Sequence, residues 1–476
     1  MQEHPPIDLA WVGEELEHLN LPDRRLKRRA QHLLGEFFRQ PGSTIPRACR
    51  DWAGSKAAYR FFDNERVERG ALLESHRRAT VQRMAGQGVV LAVQDSTSLN
   101  YTTHPSTTGL GAMGRHRRNR GLLLHSTLAL SPQGQCLGLL DAQLSAREVV
   151  RGKRARKRVI NRQPVEEKES VKWLRGFEAA RGCWEGGASG APRIVNVCDR
   201  EGDLYELLLL GQQHRGQVDV LVRAVCKRRV RGEERFLWEV VGAEAPLGVQ
   251  KVRLPRRPGE GAREVSLEIR CRAVELPAPR DKAHYFGKRE VLGVWALEAR
   301  QVLPAGAKEP ICWRLLTTIP TAGLAEACEK VAWYTQRWQI EIFHKTLKSG
   351  CRIEARQLES AARLERALAL DLIVAWRILA LSREGRESPE QPCSHLFSEQ
   401  EWKILYCATH SSPRLPASVP RLEEAIKWIG QLGGFLARKS DGSPGVTTLW
   451  RGLQRLHDLC AGNTIAQHLN NLVGND

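Results

Sequence analysis

The sequence predicts an α/β protein in which a mixed β-sheet is flanked by helical regions at both ends of the chain. Two changes of periodicity carry this prediction. Apolar residues recur at helical spacing over the first 75 residues, short apolar runs replace them from about residue 85, and helical spacing returns at Ala322. With 476 residues, the chain is long enough for about three domains. We expect their boundaries at 1–75, 76–390 and 391–476.

The N-terminal region is predicted to be a bundle of short helices with one basic face. Asp23 is a candidate N-cap, and the apolar residues after it recur at helical spacing. The opposite face carries Arg24, Arg25, Lys27, Arg28 and Arg29. Twelve basic and twelve acidic residues cancel over 1–75, so this basicity is local. The pattern is compatible with a DNA-binding bundle and equally with a solvated face on an ordinary bundle.

The middle of the chain reads as strands interrupted by helices. The elements, in chain order, are three strand candidates, a helix, a strand, a helix and a strand: 89–95, 122–131, 135–144, 166–180, 193–199, 203–211 and 218–225. This order is expected of a mixed sheet of ribonuclease-H type. Short alternating segments over about 226–320 predict a β-rich insertion. Residues 322–382 and most of 395–476 have helical spacing, with a Pro/Ser-rich linker between them.

The charge balance favours a polyanionic partner. Lys and Arg number 73 against 54 Asp and Glu, which gives a net charge of +19 and a pI of about 9.7. Residues 111–163 hold twelve cations against two acids, and six of those cations lie in 151–158. A phosphate backbone accommodates such a density of positive charge. A solvated basic loop or a targeting tag would explain it as well.

Several classes of protein are disfavoured by composition. No stretch of about 18 apolar residues predicts a membrane span, and the N-terminus lacks the pattern of a secretion signal. The twelve cysteines include no C-x-x-C pair, which argues against a zinc module or a disulfide framework. We therefore expect reduced thiols and a cytoplasmic protein.

Candidate catalytic residues lie at two strand ends and on one helix. Asp95 and Asp199 each follow an apolar strand, although Asp after a strand is also a common turn residue. The predicted helix over 331–350 carries a polar stripe with spacings of 3, 4, 4 and 3: Tyr334, Arg337, Glu341, Lys345 and Lys348. A surface salt-bridge ladder would explain part of this stripe. The tyrosine and the additional cations favour a phosphate-binding face.

Three carboxylates brought together from Asp95, Asp199 and Glu341 would suit two divalent cations about 3.5–4 Å apart. Oxygen ligands without paired Cys or His select Mg²⁺, with Mn²⁺ as a substitute. One ion would lower the pKa of an attacking water or 3′-hydroxyl, and the other would stabilise the departing oxygen of a phosphodiester.

The motif Y-x-x-R-x-x-x-E-x-x-x-x-x-x-K, met by Tyr334, Arg337, Glu341 and Lys348, resembles the signature of DDE transposases of the insertion-sequence IS-four group. Further matches in order along the chain are AYRFFDN (58–64), QDSTSLNY (94–101), EKESVKWL (167–174), VCDREGDL (197–204), and LGGF with a later Leu-Trp (432–435, 449–450). The resemblance therefore covers nearly the whole chain.

The resemblance implies roles for individual residues. Asp95, Asp199 and Glu341 would be the catalytic metal ligands, and Glu201 and Asp203 would only begin a helix. The phosphate contacts at the transposon end would be Tyr334, Arg337, Lys345, Lys348 and Arg223, with Arg28 and Arg60 as DNA contacts in the N-terminal region. Trp313 would stack on a base flipped from the duplex.

The implied reaction is cut-and-paste transposition. Water nicks one strand, the freed 3′-hydroxyl attacks the opposite strand to form a hairpin, a second water opens it, and the 3′ end joins target DNA. The implied assembly is a homodimer on two double-stranded transposon ends, associated with the bacterial nucleoid. Residues 391–476 would make the dimer contact, or would pack against their own chain. A catalytically inactive DNA-binding regulator descended from a transposase, and a ribonuclease-H-type nuclease, are the alternatives.

Overall fold

A ten-stranded mixed β-sheet forms the centre of the described part of the chain. The computed structural model describes residues 10–113, 118–147, 165–184, 191–254, 263–279, 291–303, 310–438 and 441–473. The strands are β1 Val89–Asn100, β2 Gly111–Ala112, β3 Arg120–Leu130, β4 Cys136–Ser145, β5 Arg193–Cys198, β6 Val218–Arg223, β7 Gly248–Leu254, β8 Arg263–Pro277, β9 Val291–Gln301 and β10 Cys312–Thr317. Their order is β2-β3-β1-β5-β6-β10-β9-β8-β7, and β4 also pairs with β3.

The ribonuclease-H-like core predicted from the sequence is confirmed. β1, β3 and β4 form an antiparallel set, whereas β1, β5 and β6 run parallel to one another. The strand order β4-β3-β1-β5-β6 is therefore that of the ribonuclease-H type. Parallel strands need helical crossovers, and helices occupy the connections on either side of β5.

The predicted β-rich segment extends the core sheet. β10 pairs antiparallel with β6, with Leu315 opposite Arg223, and β9, β8 and β7 follow outward as antiparallel neighbours. The strands of this segment therefore add to one continuous sheet, and β10 fixes the position of Trp313 beside β6.

Helices precede, interrupt and follow the sheet, as predicted. They are α1 Ala10–Glu15, α2 Arg24–Arg39, α3 Ile45–Cys49, α4 Trp52–Asp63, α5 Arg69–Met84, α6 Val171–Arg181, α7 Tyr205–Gln213, α8 Leu237–Gly242, α9 Leu324–Thr335, α10 Trp338–Lys345, α11 Ala361–Glu387, α12 Glu399–His410, α13 Leu422–Leu432 and α14 Val446–Val473. Asp23 caps α2 as predicted, because its carboxylate accepts the N–H of Arg25 at 2.8 Å.

The long helix α11 is buried along most of its length and packs against both the N-terminal and the C-terminal helices. Asp371 at its centre is 1% exposed and forms a two-bond pair with Arg356, at 2.9 Å to Nε and 2.6 Å to Nη2. Arg356 also donates to the carbonyl of Ser43 at 3.1 Å. This guanidinium therefore joins α11, the segment after α10 and the N-terminal helices. Among the described helices, none combines the length and apolar character needed to cross a membrane.

Candidate active site

Asp95 and Asp199 occupy equivalent positions along two neighbouring strands, because β1 and β5 are parallel and pair with each other. Val93 of β1 is opposite Val197 of β5, and each aspartate follows two residues later. β1 does not end at Asp95 as expected from the sequence: it continues to Asn100, and Asp95 pairs with Ser126 of β3. Asp199 lies just beyond β5, where its Oδ1 accepts the N–H of Glu201 at 2.9 Å.

The single helix predicted over 331–350 is in fact two helices and a π-helical turn. α9 ends at Thr335, α10 begins at Trp338, and residues Thr346–Gly350 form the π turn. At the junction, the N–H of Arg337 donates to the carbonyl of Tyr334 at 3.1 Å, a tighter i to i−3 bond than that of an α-helix. The predicted stripe is therefore distributed over three short elements, because tertiary packing overrides the helical periodicity at this junction.

Arg337 connects the strand side of the site to the helix side. Its Nη1 lies 3.5 Å from Oδ2 of Asp95, and its Nη2 donates a hydrogen bond to Oε1 of Glu341. The Asp95 side chain is 18% exposed and that of Glu341 is 36% exposed, so both remain accessible beside this buried guanidinium. The structure thus brings Glu341 of α10 to the same guanidinium as Asp95 of β1.

The electrostatics of Asp95 depend on the other two acids. The pKa of Asp95 is raised to about 6, chiefly by burial and also by the charges of Asp199 and Glu341, while the N–H of Ser96 and the charge of Arg337 act in the opposite direction. The negative charges of Asp199 and Glu341 therefore act on the Asp95 carboxyl through space. A cation placed among these groups would relieve that repulsion.

Tyr334, Arg223 and Trp313 form a cluster next to Arg337. The Tyr334 hydroxyl hydrogen-bonds with the guanidinium groups of both Arg223 and Arg337; burial raises the pKa of Tyr334, and these two cations oppose the rise. The Trp313 ring packs edge-on against the Tyr334 ring, with 5.8 Å between centroids, and is 8% exposed. Stacking of Trp313 on a DNA base would require this buried contact to open.

The remaining predicted contacts lie outside this cluster. Lys345 is exposed at the end of α10, and Lys348 in the π turn lies 4.0 Å from Glu354. Arg28 on α2 and Arg60 on α4 are both exposed. The basic cluster at 151–158 lies outside the described residues. The roles assigned to all of these side chains stay predictions.

The residues that follow Asp199 have different environments. Glu201 is exposed and lies 3.6 Å from Lys172. Asp203 is 4% exposed; its carboxylate accepts the N–H groups of Val225 and Cys226, each at 2.7 Å, and pairs with Arg228. Asp203 therefore ties the turn after Asp199 to the end of β6, a structural contact that the sequence analysis did not identify.

A buried polar network beneath Asp95 was also missed. The ring of His125 contacts Gln94 through Nε2 and Ser96 through Nδ1, both at 2.8 Å, so it connects the two neighbours of Asp95 in β1. Burial lowers the pKa of His125 to about 3, which keeps the ring neutral. A polar residue on each side of an acid, directly after an apolar run, is the signal that indicates such a network.

The donor chemistry of the acids fits a hard divalent cation. Carboxylate oxygens are the ligands that Mg²⁺ and Mn²⁺ prefer. Within the described ranges, no three His, Cys, Asp or Glu side chains lie close enough to ligate one ion as they stand. Water and phosphate oxygens would complete the coordination of an ion held by fewer than three of these acids.

A ribonuclease-H-like sheet with Asp95 and Asp199 on neighbouring parallel strands, and with Glu341 and Asp95 on one arginine, is the architecture expected of a DDE transposase. Family models agree: residues 147–377 match the transposase DDE domain, 8–67 the transposase DNA-binding domain, and 373–471 the transposase Tn5 dimerisation domain. The chain belongs to the DDE transposases related to that of Tn5, within the IS-four group. Asp199 and Glu341 lie inside the DDE match, and Asp95 precedes it.

Among solved structures, the chain is similar to the piggyBac transposase in a synaptic complex with hairpin DNA. The identity is 8% and the TM-score 0.33, over 67% of this chain and 52% of that one. The chain thus spans about half the length of the piggyBac chain.

Proposed function

We propose that this protein is an active DNA transposase that cuts DNA at terminal inverted repeats and joins the freed 3′ ends to target DNA. The proposal rests on the equivalent positions of Asp95 in β1 and Asp199 just after β5, and on Arg337, which contacts both Asp95 and Glu341 of α10. Membership of the Tn5-related DDE transposases supports the same reaction class.

Asp95, Asp199 and Glu341 would hold two Mg²⁺ ions, and Mn²⁺ would substitute for them. Bound there, the ions supply charge stabilisation for the attacking and leaving oxygens of a phosphodiester. Arg337 orients Asp95 and Glu341 through its contacts with both. The network of His125, Gln94 and Ser96 fixes the strand on which Asp95 lies.

The cations near the acids would bind the phosphate that is cut. Tyr334 and Arg223 hydrogen-bond to one another beside Arg337, and both present polar groups suited to phosphate oxygens. Lys345 and Lys348 extend this positive surface along the same helical segment. Trp313 would stack on a flipped base once its contact with Tyr334 opens.

One set of acids serves four successive in-line phosphoryl transfers: nicking, hairpin formation, hairpin opening and strand transfer. We also propose the division into an N-terminal DNA-end-binding domain (1–75), a catalytic domain (76–390) and a C-terminal dimerisation domain (391–476). Matches to a transposase DNA-binding model and a Tn5 dimerisation model support the two outer assignments. The partners would be double-stranded DNA and a second copy of the chain.

The experiment is incubation of the full-length protein with labelled duplexes carrying the inverted repeats that flank its gene, with Mg²⁺ or with EDTA. We expect nicked, hairpin and joined products in that order of appearance, and only with the metal. Specific binding without any cleavage would indicate a DNA-binding regulator instead. Cleavage of arbitrary DNA without hairpins or joining would indicate a nuclease.

A further inference from the structure

Helix α10, which carries Glu341, is irregularly wound at both of its ends. Before it, the N–H of Gln339 donates to the carbonyl of Gln336 at 3.0 Å, an i to i−3 bond. After it, the N–H of Cys351 donates to the carbonyl of Thr346 at 3.0 Å, an i to i−5 bond of the π turn. Neither junction continues the regular i to i−4 ladder of an α-helix. Contacts between α10 and the sheet must therefore set the direction in which Glu341 points.

Two buried polar side chains attach α10 to the β3–β4 hairpin. Gln339 donates from Nε2 to the carbonyl of Gly134 at 2.9 Å, in the turn after β3. His344 hydrogen-bonds through Nε2 with the hydroxyl of Ser126 in β3, and these two atoms are 3.3 Å apart. Because the two contacts lie near opposite ends of α10, they fix its position along β3 and its rotation about its own axis.

Ser126 is the residue of β3 directly opposite Asp95 of β1. Side chains that lie directly opposite each other on neighbouring strands point to the same face of the sheet. The Ser126 hydroxyl and the Asp95 carboxylate therefore share one face, and α10 contacts that face through His344. His344 follows Glu341 by three residues, so the two are neighbours on the helix surface. One helical turn, one hydrogen bond and one strand pair thus connect Glu341 to Asp95.

The bond between His344 and Ser126 gives α10 an orientation that its apolar contacts do not. Ile340 and Phe343 are fully buried, but burial of apolar surface has no preferred direction. A hydrogen bond is directional, and Ser126 forms no other side-chain hydrogen bond within the described ranges. Burial lowers the pKa of His344 to about 3, so the ring is neutral. Loss of either partner would leave the other buried and unsatisfied, which favours a shift of α10.

We infer that His344 is a positioning residue for the reaction: its hydrogen bond to Ser126 holds Glu341 in place relative to Asp95, so that both acids can serve the same divalent cations. The inference rests on the proposed function, because it concerns how the catalytic acids are held. In the described structure His344 forms no hydrogen bond with any of the three acids, so it acts through Glu341. A misplacement of about 1 Å can lower a rate roughly 100-fold.

The test uses three full-length variants of this contact and one control. His344→Leu fills much of the space of the ring without a polar group, and His344→Gln can place an amide nitrogen near the position of Nε2. Ser126→Ala removes the hydroxyl alone. Thr127→Val is the matched control, because Thr127 is adjacent in β3 and equally buried, and its hydroxyl has no hydrogen-bond partner in the described structure.

Two readouts are compared. Mn²⁺ binding to the protein on a duplex that ends at the cleavage position is followed by the electron paramagnetic resonance signal of the free ion, and single-turnover cleavage is followed on the intact repeat. We expect His344→Leu and Ser126→Ala each to weaken Mn²⁺ binding and slow cleavage roughly 10- to 100-fold, the range for residues that orient metal ligands. His344→Gln should recover most of this loss, and Thr127→Val should match the wild type. Combining His344→Leu with Ser126→Ala should add little, since both remove the same bond.

The outcomes separate this inference from the proposed function. A His344→Leu protein that unfolds at lower urea concentration, yet binds Mn²⁺ and cleaves like the wild type, would show a purely structural role and overturn the inference. Equal losses in Ser126→Ala and Thr127→Val would also overturn it, and this pair decides if His344→Leu fails to fold. A wild type that neither binds Mn²⁺ nor cleaves contradicts the proposed function and the inference with it. A wild type that does both, with variants identical to it, contradicts the inference alone.

Discussion

The guanidinium of Arg337 lies 3.5 Å from the carboxylate of Asp95, although 241 positions separate the two residues along the chain. The contact joins a strand of the central sheet to the junction between α9 and α10. Its hydrogen bond to Glu341 makes this arginine the link between acids from two different elements.

Replacing any one of the three acids should abolish cleavage. We expect Asp95→Asn, Asp199→Asn or Glu341→Gln each to lower the cleavage rate by more than about 100-fold. Replacing residues that only orient metal ligands already lowers activity roughly 10- to 100-fold, and loss of a ligand should have a larger effect. Binding to the inverted repeat should stay nearly unchanged. Glu201→Gln is the matched control, because Glu201 is adjacent but exposed and should keep wild-type activity. An active Asp199→Asn protein would exclude this residue from the catalytic set.

Arg337→Lys should reduce cleavage less than Arg337→Gln does. Lysine keeps the positive charge but cannot contact Asp95 and Glu341 through a planar fork, whereas glutamine loses the charge as well. We expect losses of roughly 10-fold and 100-fold, on the scale of residues that orient metal ligands. Single-turnover cleavage measures both. Equal rates for the two variants would show that the charge of Arg337 has no part in the reaction.

Asp371→Ala should destabilise the fold strongly. It leaves the Arg356 guanidinium buried without its partner, which costs about 3–5 kcal/mol of the free energy of unfolding. Asp63→Ala removes the exposed partner of Arg363 and should cost about 0–1 kcal/mol. Urea unfolding followed by tryptophan fluorescence measures the difference. Equal midpoints in the two variants would contradict the structural role of the buried pair.

Stability should fall on mild acidification, partly through His457. This ring is buried between α14 and α2, its Nδ1 donates to the carbonyl of Arg39 at 3.1 Å, and its Nε2 lies 3.9 Å from Glu401. Burial lowers the pKa of His457 to about 4, with Arg39 and Arg50 nearby as further cations. The His457 ring takes up a proton near pH 6.5 in the unfolded chain, but only near pH 4 in the folded chain. The free energy of unfolding therefore falls as the pH is lowered from about 6.5 to about 4.

The measurement is the urea midpoint as a function of pH for the wild type and for His457→Gln, which retains a donor for the Arg39 carbonyl. Below pH 6.5 this histidine lowers the free energy of unfolding by up to about 1.4 kcal/mol for each pH unit of acidification, and the variant should lack that part of the decrease. Parallel curves for the two proteins over this range would refute the assignment.

Neutralising the six cations at 151–158 should flatten the salt dependence of DNA binding. If each contacts one phosphate, the slope of log K against log salt falls by about 5. Anisotropy titrations of the wild type and the neutralised protein provide the comparison. An unchanged slope would favour a solvated loop without DNA contacts.

The core strands and the two acids that follow their apolar runs were predictable because their signals are local, although β1 continues past Asp95. The apolar runs before Asp95 and Asp199 define β1 and β5, and parallel pairing then places both acids at one edge. The break between α9 and α10 was not predictable, because the sequence around Gln336 and Arg337 contains neither proline nor glycine. Periodicity alone predicts a continuous helix there, and only packing divides it.

Contacts between distant segments were also beyond the sequence. His344 and Ser126 are 218 positions apart along the chain, and no spacing rule relates them. The buried position of Trp313 against Tyr334 likewise depends on how β10 pairs with β6, a connection that residues 226–320 do not reveal by their own pattern.

The π turn at Thr346–Gly350 makes this position tolerant of a change in chain length that α10 would not tolerate. A π turn takes up one residue more than a turn of α-helix. Deleting a single residue from it would let α-helical winding resume and leave the following segment in nearly the same orientation, whereas a deletion within α10 would turn that segment by about 100° about the helix axis. A relative one residue shorter in α10 would keep every side chain that is needed and be disabled by rotation, not by loss of chemistry.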